Sequence, residues 1–292
     1  MLFRSSIWGP RGLSWLILAT NCALAGLLAR GGLQGRRPVG AALLVGLLWL
    51  GNLGYGIWRF QEVEHQLSIA PTIKIGLLQE KVTMVERLAE RRSSTAFRSW
   101  MELARPLIGQ PMDLMVWPEN SSDLDPVTMV EPSLKITQFV NEELKAPLLF
   151  GNKTFRGSDS FNEVDLWEPN RALTDWYDKK RPVPFGEYVP YRSFFMSLAP
   201  DMIGLIGWDM SPGTRDVIFD INGKAKVGSL ICFEVTIDEL NYDLVDSGTE
   251  AIMIQTNSSD FGKSEQGVQL AAISRMRAIE TGRSVVSIRS EE

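Results

Sequence analysis

Cys232 closes the apolar run Val-Gly-Ser-Leu-Ile-Cys at 227–232, where a buried strand would give way to a turn. A thiol at such a strand end is placed to act as a nucleophile, although taken alone it fits a small buried core residue better. To become thiolate it needs a base or a cation nearby. The chain has a single histidine, His65, and one further cysteine, Cys22. Imidazole catalysis is thereby confined to His65, in a stretch that reads as a linker, and a zinc site of His and Cys ligands is nearly excluded. The base has to come from another residue type. Glu119 follows Val116-Trp117-Pro118, Lys179 stands in YDKKRPVPFGEYVP (177–190) with Glu187 in the same segment, and Phe233 and Glu234 directly follow the thiol. A buried Glu with a raised pKa can take a thiol proton and return it, while a Lys ammonium can favour thiolate and steady an oxyanion. Singly, Glu119, Lys179 and Glu234 read equally as surface charges. Glu187 reads as a partner for Lys179 or for an incoming amine, and Glu234 as an anchor for the turn after Cys232.

The elements that would carry these residues alternate. Apolar runs at 72–79, 113–119, 146–152 and 250–257 read as strands, the third followed by a polar turn. Residues 171–180 are strand-like, and 216–234 read as a hairpin turning at Asn222-Gly223. Residues 81–105, 131–144 and 264–282 have helical character, the last with Ser264 as a cap and Gly282 as its stop, and 284–290 begin another strand. Such alternation favours helices packed on sheets.

The first 58 residues differ in kind. They hold five arginines and no acid, so the rest of this 292-residue chain of net charge −5 is strongly acidic and a poor partner for nucleic acid. Uncharged runs of 18 residues (12–29) and 21 residues (38–58) would span about 27 and 31 Å as helices, the thickness of a hydrocarbon core. Trp49, Tyr55 and Trp58 suit an interfacial belt. Residues 1–60 therefore read as a membrane segment, 61–70 as a linker, and 71–292 as a catalytic domain. Arg30, Arg36 and Arg37 place the connecting loop on the cytoplasmic side and the acidic body outside.

The Glu-Lys-Cys set resembles the triad of the nitrilase, or carbon–nitrogen hydrolase, superfamily. More narrowly the chain resembles the apolipoprotein N-acyltransferases over residues 38–290, through VWPEN (116–120), YDKKRPVPFGEYVP, GSLICFE (228–234) and SRMRAIETGR (274–283). The resemblance implies an α-β-β-α sandwich with Glu119 as base, Lys179 as oxyanion stabiliser and Cys232 as nucleophile. Glu187, Glu234, Phe233 and Trp117 would line or support the site. It departs at Pro182, where the family usually has Leu, at Arg181, where His is frequent, and at Ser258 and Asp260, where the family often carries Asp and Trp. The family usually has more membrane helices before this domain and one after, so the chain reads as truncated, with a catalytic domain incomplete at its C-terminus.

What the resemblance implies is a bacterial inner-membrane enzyme, monomeric and without metal or organic cofactor, its catalytic domain extracytoplasmic. It would move an acyl chain from a membrane phospholipid, through a Cys232 thioester, to the N-terminal amine of a diacylglyceryl-cysteine apolipoprotein. The apolar stretch 191–210, with Phe194, Phe195, Met202, Ile203 and Trp208, reads as an arm that touches lipid. Two alternatives stand beside this: a membrane-anchored amidase with water as acceptor, and an inactive membrane-tethered module.

Overall fold

The computed structural model describes residues 9–29, 36–79, 96–122, 124–204, 206–258 and 264–290. Outside them lie the loop arginine Arg30, most of the helix expected from residue 81, the arm residue Leu205, and Asp260. The chain divides into two compact units, Met1–Thr72 with Ile279–Gly282, and Ile73–Ala278 with Arg283–Glu292.

The first unit is a pair of apolar helices, α1 (Gly9–Leu28) and α2 (Arg36–Ile69). Windows at Arg11–Leu28 and Val39–Ile69 are long and apolar enough to cross a bilayer. The Trp49 indole Nε1 donates to Thr20 Oγ1 at 2.9 Å, and that hydroxyl donates to the Leu16 carbonyl at 2.7 Å. The expected linker at 61–70 is instead the end of α2, and His65 is helical. Gln61, Glu62, Glu64, Gln66 and Leu67 are good helix formers, and Glu62 ties the turn together by pairing with Arg59 at 2.8 Å and accepting from Gln66 at 3.2 Å.

The second unit holds two sheets. The first has order β1-β2-β3-β4-β5, from Ile75–Leu77, Leu114–Val116, Leu148–Arg156, Asp159–Glu168 and Ala172–Asp178. Strands β1 to β3 are parallel, and β3, β4 and β5 alternate in direction. The second sheet has order β6-β7-β8-β9, from Ile218–Ile221, Ala225–Ile231, Ala251–Asn257 and Ser284–Ser290. β6 is antiparallel to β7, and β7, β8 and β9 are parallel. Asn222 and Gly223 make the expected hairpin turn at φ 53° and 69°.

Leu114, Val116, Leu149 and Val164 of the first sheet share one core with Phe219, Val227 and Ile231 of the second. The opposite face of the first sheet, with Met115, Leu148, Phe150 and Trp167, is covered by α3 (Ala96–Ala104) and α4 (Val130–Gln138). Leu240 and Leu244 of α7 (Asp238–Asp246) and Leu270 of α8 (Gln266–Thr281) join the core on the second sheet. The result is the expected α-β-β-α sandwich.

The polar turn expected after residue 152 is not there. β3 runs on to Arg156, turns at Gly157 (φ 67°), and returns as β4. Asn162, Glu163, Asp165 and Glu168 of β4 are buried polar residues, so its sequence lacks the apolar alternation by which strands are recognised. Burial, and then the neighbouring Asp165 carboxylate, pushes the Glu163 carboxyl well above the usual range; Arg156 opposes this with a 2.5 Å bond to Glu163 and also binds Asp178.

Candidate active site

Strands β2 and β5 run in the same direction, so Glu119, just past β2, and Lys179, just past β5, emerge at one end of the first sheet. β7 delivers Cys232 from the second sheet. There the extended chain breaks into a tight helical turn, Cys232–Thr236, and Cys232 itself has φ 54°. A left-handed conformation costs a non-glycine residue about 1–3 kcal/mol and persists only where the surroundings fix it. Arg277 of α8 is one such fixture: its Nε donates to the Val235 carbonyl at 2.8 Å and Nη2 to the Thr236 carbonyl at 2.9 Å.

Glu234 is the other. Its Oε1 accepts from the backbone N–H groups of Lys180 at 2.7 Å and Arg181 at 3.1 Å, and its Oε2 from that of Ile231 at 2.9 Å. The Tyr177 hydroxyl lies 3.1 Å from both oxygens. One fully buried carboxylate thus ties the chain beside Lys179 to the chain beside Cys232, a role wider than anchoring its own turn. Glu234→Gln replaces one of these acceptor oxygens with a donor. It should cost about 1–3 kcal/mol, the penalty of a buried donor left unmatched. Denaturant unfolding of the variant measures this, and an unchanged midpoint would contradict the role.

Lys179 is 1% exposed and Glu119 5%. The ammonium Nζ lies 2.9 Å from Glu187 Oε2 and 3.5 Å from Glu119 Oε1. Asn162 Nδ2 donates to Glu119 Oε1 and to Glu187 Oε1, both at 2.7 Å. Asn257 N–H at the end of β8 holds Glu119 Oε2 at 2.8 Å, and Val183 N–H holds Glu187 Oε2 at 2.7 Å. Gly151 lets β3 pass beneath Glu119, since a Cβ there would come within 2.5 Å of Glu119 Cα. Asn162 was invisible to sequence reasoning because it sits in β4, and no spacing singles it out.

Burial pushes the Cys232 thiol up, and the Glu119 and Glu187 carboxylates push the same way; the Lys179 ammonium and the Phe233 N–H oppose them. Burial works against the Lys179 charge, yet Glu119, Glu187 and Cys232 outweigh it and hold the ammonium above its ordinary range. The resting arrangement is therefore a neutral thiol beside a charged lysine. A thiol in this setting acts as a nucleophile only if its proton is taken up by a neighbouring group.

The structure brings Glu119, Lys179 and Glu187 into direct contact, with Cys232 near enough to feel their charges. Phe233 is half exposed beside the thiol. Trp117 is elsewhere: its ring packs against Phe97, Trp100, Phe139 and Phe150 between the first sheet and its helices. Consecutive strand residues face opposite sides of a sheet, which puts the Trp117 side chain on the helix side. The 191–210 stretch forms two short helices, α5 (Arg192–Leu198) and α6 (Pro200–Ile203). Phe194 (62%), Met202 (71%) and Trp208 (55%) are exposed, and Phe195 stacks edge-on to Phe185 at 5.1 Å. Ile203 is 6% exposed and belongs to the packed side of α6, not to its surface.

The sequence profile of carbon–nitrogen hydrolases matches residues 89–289. The chain belongs to the carbon–nitrogen hydrolase family. Among carbon–nitrogen hydrolase folds, a nitrilase-superfamily protein of Saccharomyces cerevisiae superposes with a TM-score of 0.53 at 16% identity, covering 76% of each chain. An apolipoprotein N-acyltransferase of Mycolicibacterium smegmatis is 33% identical over 187 residues, 61% of this chain and 30% of that protein. One from Geobacter metallireducens is 28% identical over 285 residues, 94% of this chain and 53% of that protein. The chain thus spans about half the length, or less, of these curated relatives.

Proposed function

We propose that the protein is an N-acyltransferase that moves an acyl chain from a membrane phospholipid to the N-terminal amine of a diacylglyceryl-cysteine apolipoprotein. Glu119 takes the proton of Cys232, and the thiolate attacks an ester carbonyl of the phospholipid. Lys179 steadies the oxyanion. As the C–O bond breaks, Glu119 returns the proton to the departing alkoxide, so lysophospholipid leaves and a Cys232 thioester remains. A neutral amine then attacks the thioester. Glu119 receives the amine proton and passes it to sulfur as the C–S bond breaks. Glu187, paired with Lys179, keeps the ammonium in place through both halves.

The observation that carries this reading is the Glu119–Lys179–Glu187 cluster, with Lys179 and Glu119 buried, beside Cys232, in a chain whose relatives are named apolipoprotein N-acyltransferase. The two apolar helices and the exposed Phe194, Met202 and Trp208 supply the contact with lipid that a phospholipid donor requires. The body lies outside the cytoplasmic membrane, on the side opposite the arginine-rich loop. Incubating the protein in detergent micelles with phospholipid labelled in its acyl chain should yield a hydroxylamine-sensitive acyl adduct on Cys232. Adding a diacylglyceryl-cysteine peptide should discharge it to the peptide amine. Release of the label only as free fatty acid, or turnover of small amides without any lipid adduct, would instead support the amidase alternative.

A further inference from the structure

The chain that returns from the exposed arm is fastened to the backbone of both charged residues that face each other in the site. Met210 N–H donates to the Glu187 carbonyl at 2.8 Å, and Gly213 N–H donates to the Lys179 carbonyl at 2.9 Å. Between them, Ser211 N–H donates to the Ser160 carbonyl at 2.8 Å, and the Ser160 hydroxyl donates to the Asp209 carbonyl at 3.1 Å. At the start of this segment Asp209 accepts from Arg192 Nη2 at 2.6 Å and from Val189 N–H at 2.7 Å, closing the arm at its base. The contact at Gly213 is so close that a Cβ there would collide with the carbonyl oxygen and the Cβ of Asp178. Gly207, within the same excursion, has nothing within 4 Å of the place a Cβ would take.

We infer that Asp209–Gly213 is a strap that positions Lys179 and Glu187, and that Gly213 is its positioning residue, glycine because only a residue without a side chain lets the strap reach the Lys179 carbonyl. Among the described residues, Lys179 has no other backbone tether on the outer side of β5, the edge strand of its sheet. On the inner side its N–H is held by the Asn162 carbonyl at 2.8 Å. The strap completes the pair, so that the peptide carrying the ammonium is pinned from both neighbours. This rests on the assignment of Lys179 as the charge that favours thiolate at Cys232, and it adds the element that sets where that charge stands.

Alkylation of Cys232 by iodoacetamide, followed against pH by mass spectrometry, reads the ammonium directly and needs no lipid. Gly213→Ala should move the midpoint of the alkylation profile upward by about one pH unit, the lower end of what an adjacent charge does to a titrating group. It should lower the acylation kcat at least about tenfold with KM little changed, since a displacement near 1 Å can cost about 100-fold. Gly207→Ala should leave the alkylation midpoint unmoved. Asp209→Ala loosens the strap without a clash and should shift the midpoint in the same direction by less. It decides the matter if Gly213→Ala does not fold. A folded Gly213→Ala, or failing that a folded Asp209→Ala, with the wild-type alkylation profile would overturn the inference. If the midpoint shifts as stated while no lipid adduct forms on the wild-type protein, the strap stands and the acyltransferase reading falls. If the adduct forms and the midpoint does not shift, the acyltransferase reading stands and the strap falls.

Discussion

Replacing Cys232 by alanine should abolish the acyl-enzyme altogether, leaving no adduct at any residue after incubation with labelled phospholipid. Alanine removes the sulfur and leaves the surroundings in place, because the turn is held by Glu234 and Arg277 and not by the thiol. Mass spectrometry of the intact protein and of its peptides checks this, and an adduct elsewhere, or unchanged turnover, would remove Cys232 from the mechanism. The backbone makes a companion expectation. Cys232 sits at φ 54°, where glycine is unstrained and alanine is not. Cys232→Gly should therefore be more stable than Cys232→Ala by about 1 kcal/mol while being equally inactive. That ordering would show that the strained turn is kept for the thiol and not for the fold.

Lys179→Met should lower acylation by about 100- to 1,000-fold, the usual consequence of losing one preorganised oxyanion donor, about 2.7–4 kcal/mol. The loss has a second face. Glu119 and Glu187 share one amide of Asn162 and one ammonium of Lys179. Without the cation the buried Glu119 loses its counter-charge, and uncompensated buried charge commonly costs about 3–5 kcal/mol. The variant should therefore unfold at a lower denaturant concentration than wild type. Single-turnover acylation and denaturant unfolding measure both effects. Near-normal acylation would reduce Lys179 to a structural counter-ion.

The parts of the site that could be read from the sequence are those that end apolar runs. Glu119 and Cys232 follow β2 and β7, whose residues are almost wholly buried and therefore almost wholly hydrophobic. β4 could not be read, because it carries polar residues on both faces. Asn162 points to Glu119 and Glu187, while Glu163 and Asp165 face away, toward Arg156 and Asn152. A strand that spends its side chains on hydrogen bonds looks, in sequence, like a turn. Trp117 misled for a different reason: it stands only two residues before Glu119, but the strand ends at Val116, and past that point the Trp117 ring stays with the helices while Glu119 meets Lys179. The end of α2 was hidden by its charges, which read as a tether but join one another along a helix. Ile203 shows that the count of apolar residues in 191–210 overstates the surface, since a short helix turns one of its sides inward.

Glu119 and Lys179 stand on one sheet and Cys232 on the other, joined by the Glu234 carboxylate that reaches across and by the Asn257 N–H that holds Glu119. Neither sheet by itself holds a reactive group. Until the two halves meet, the chain carries an ordinary cysteine, no readier to capture an acyl group than any solvated thiol. On the proposed reading, the chemistry of Cys232 is therefore a property of the finished sandwich, where its two leaves meet.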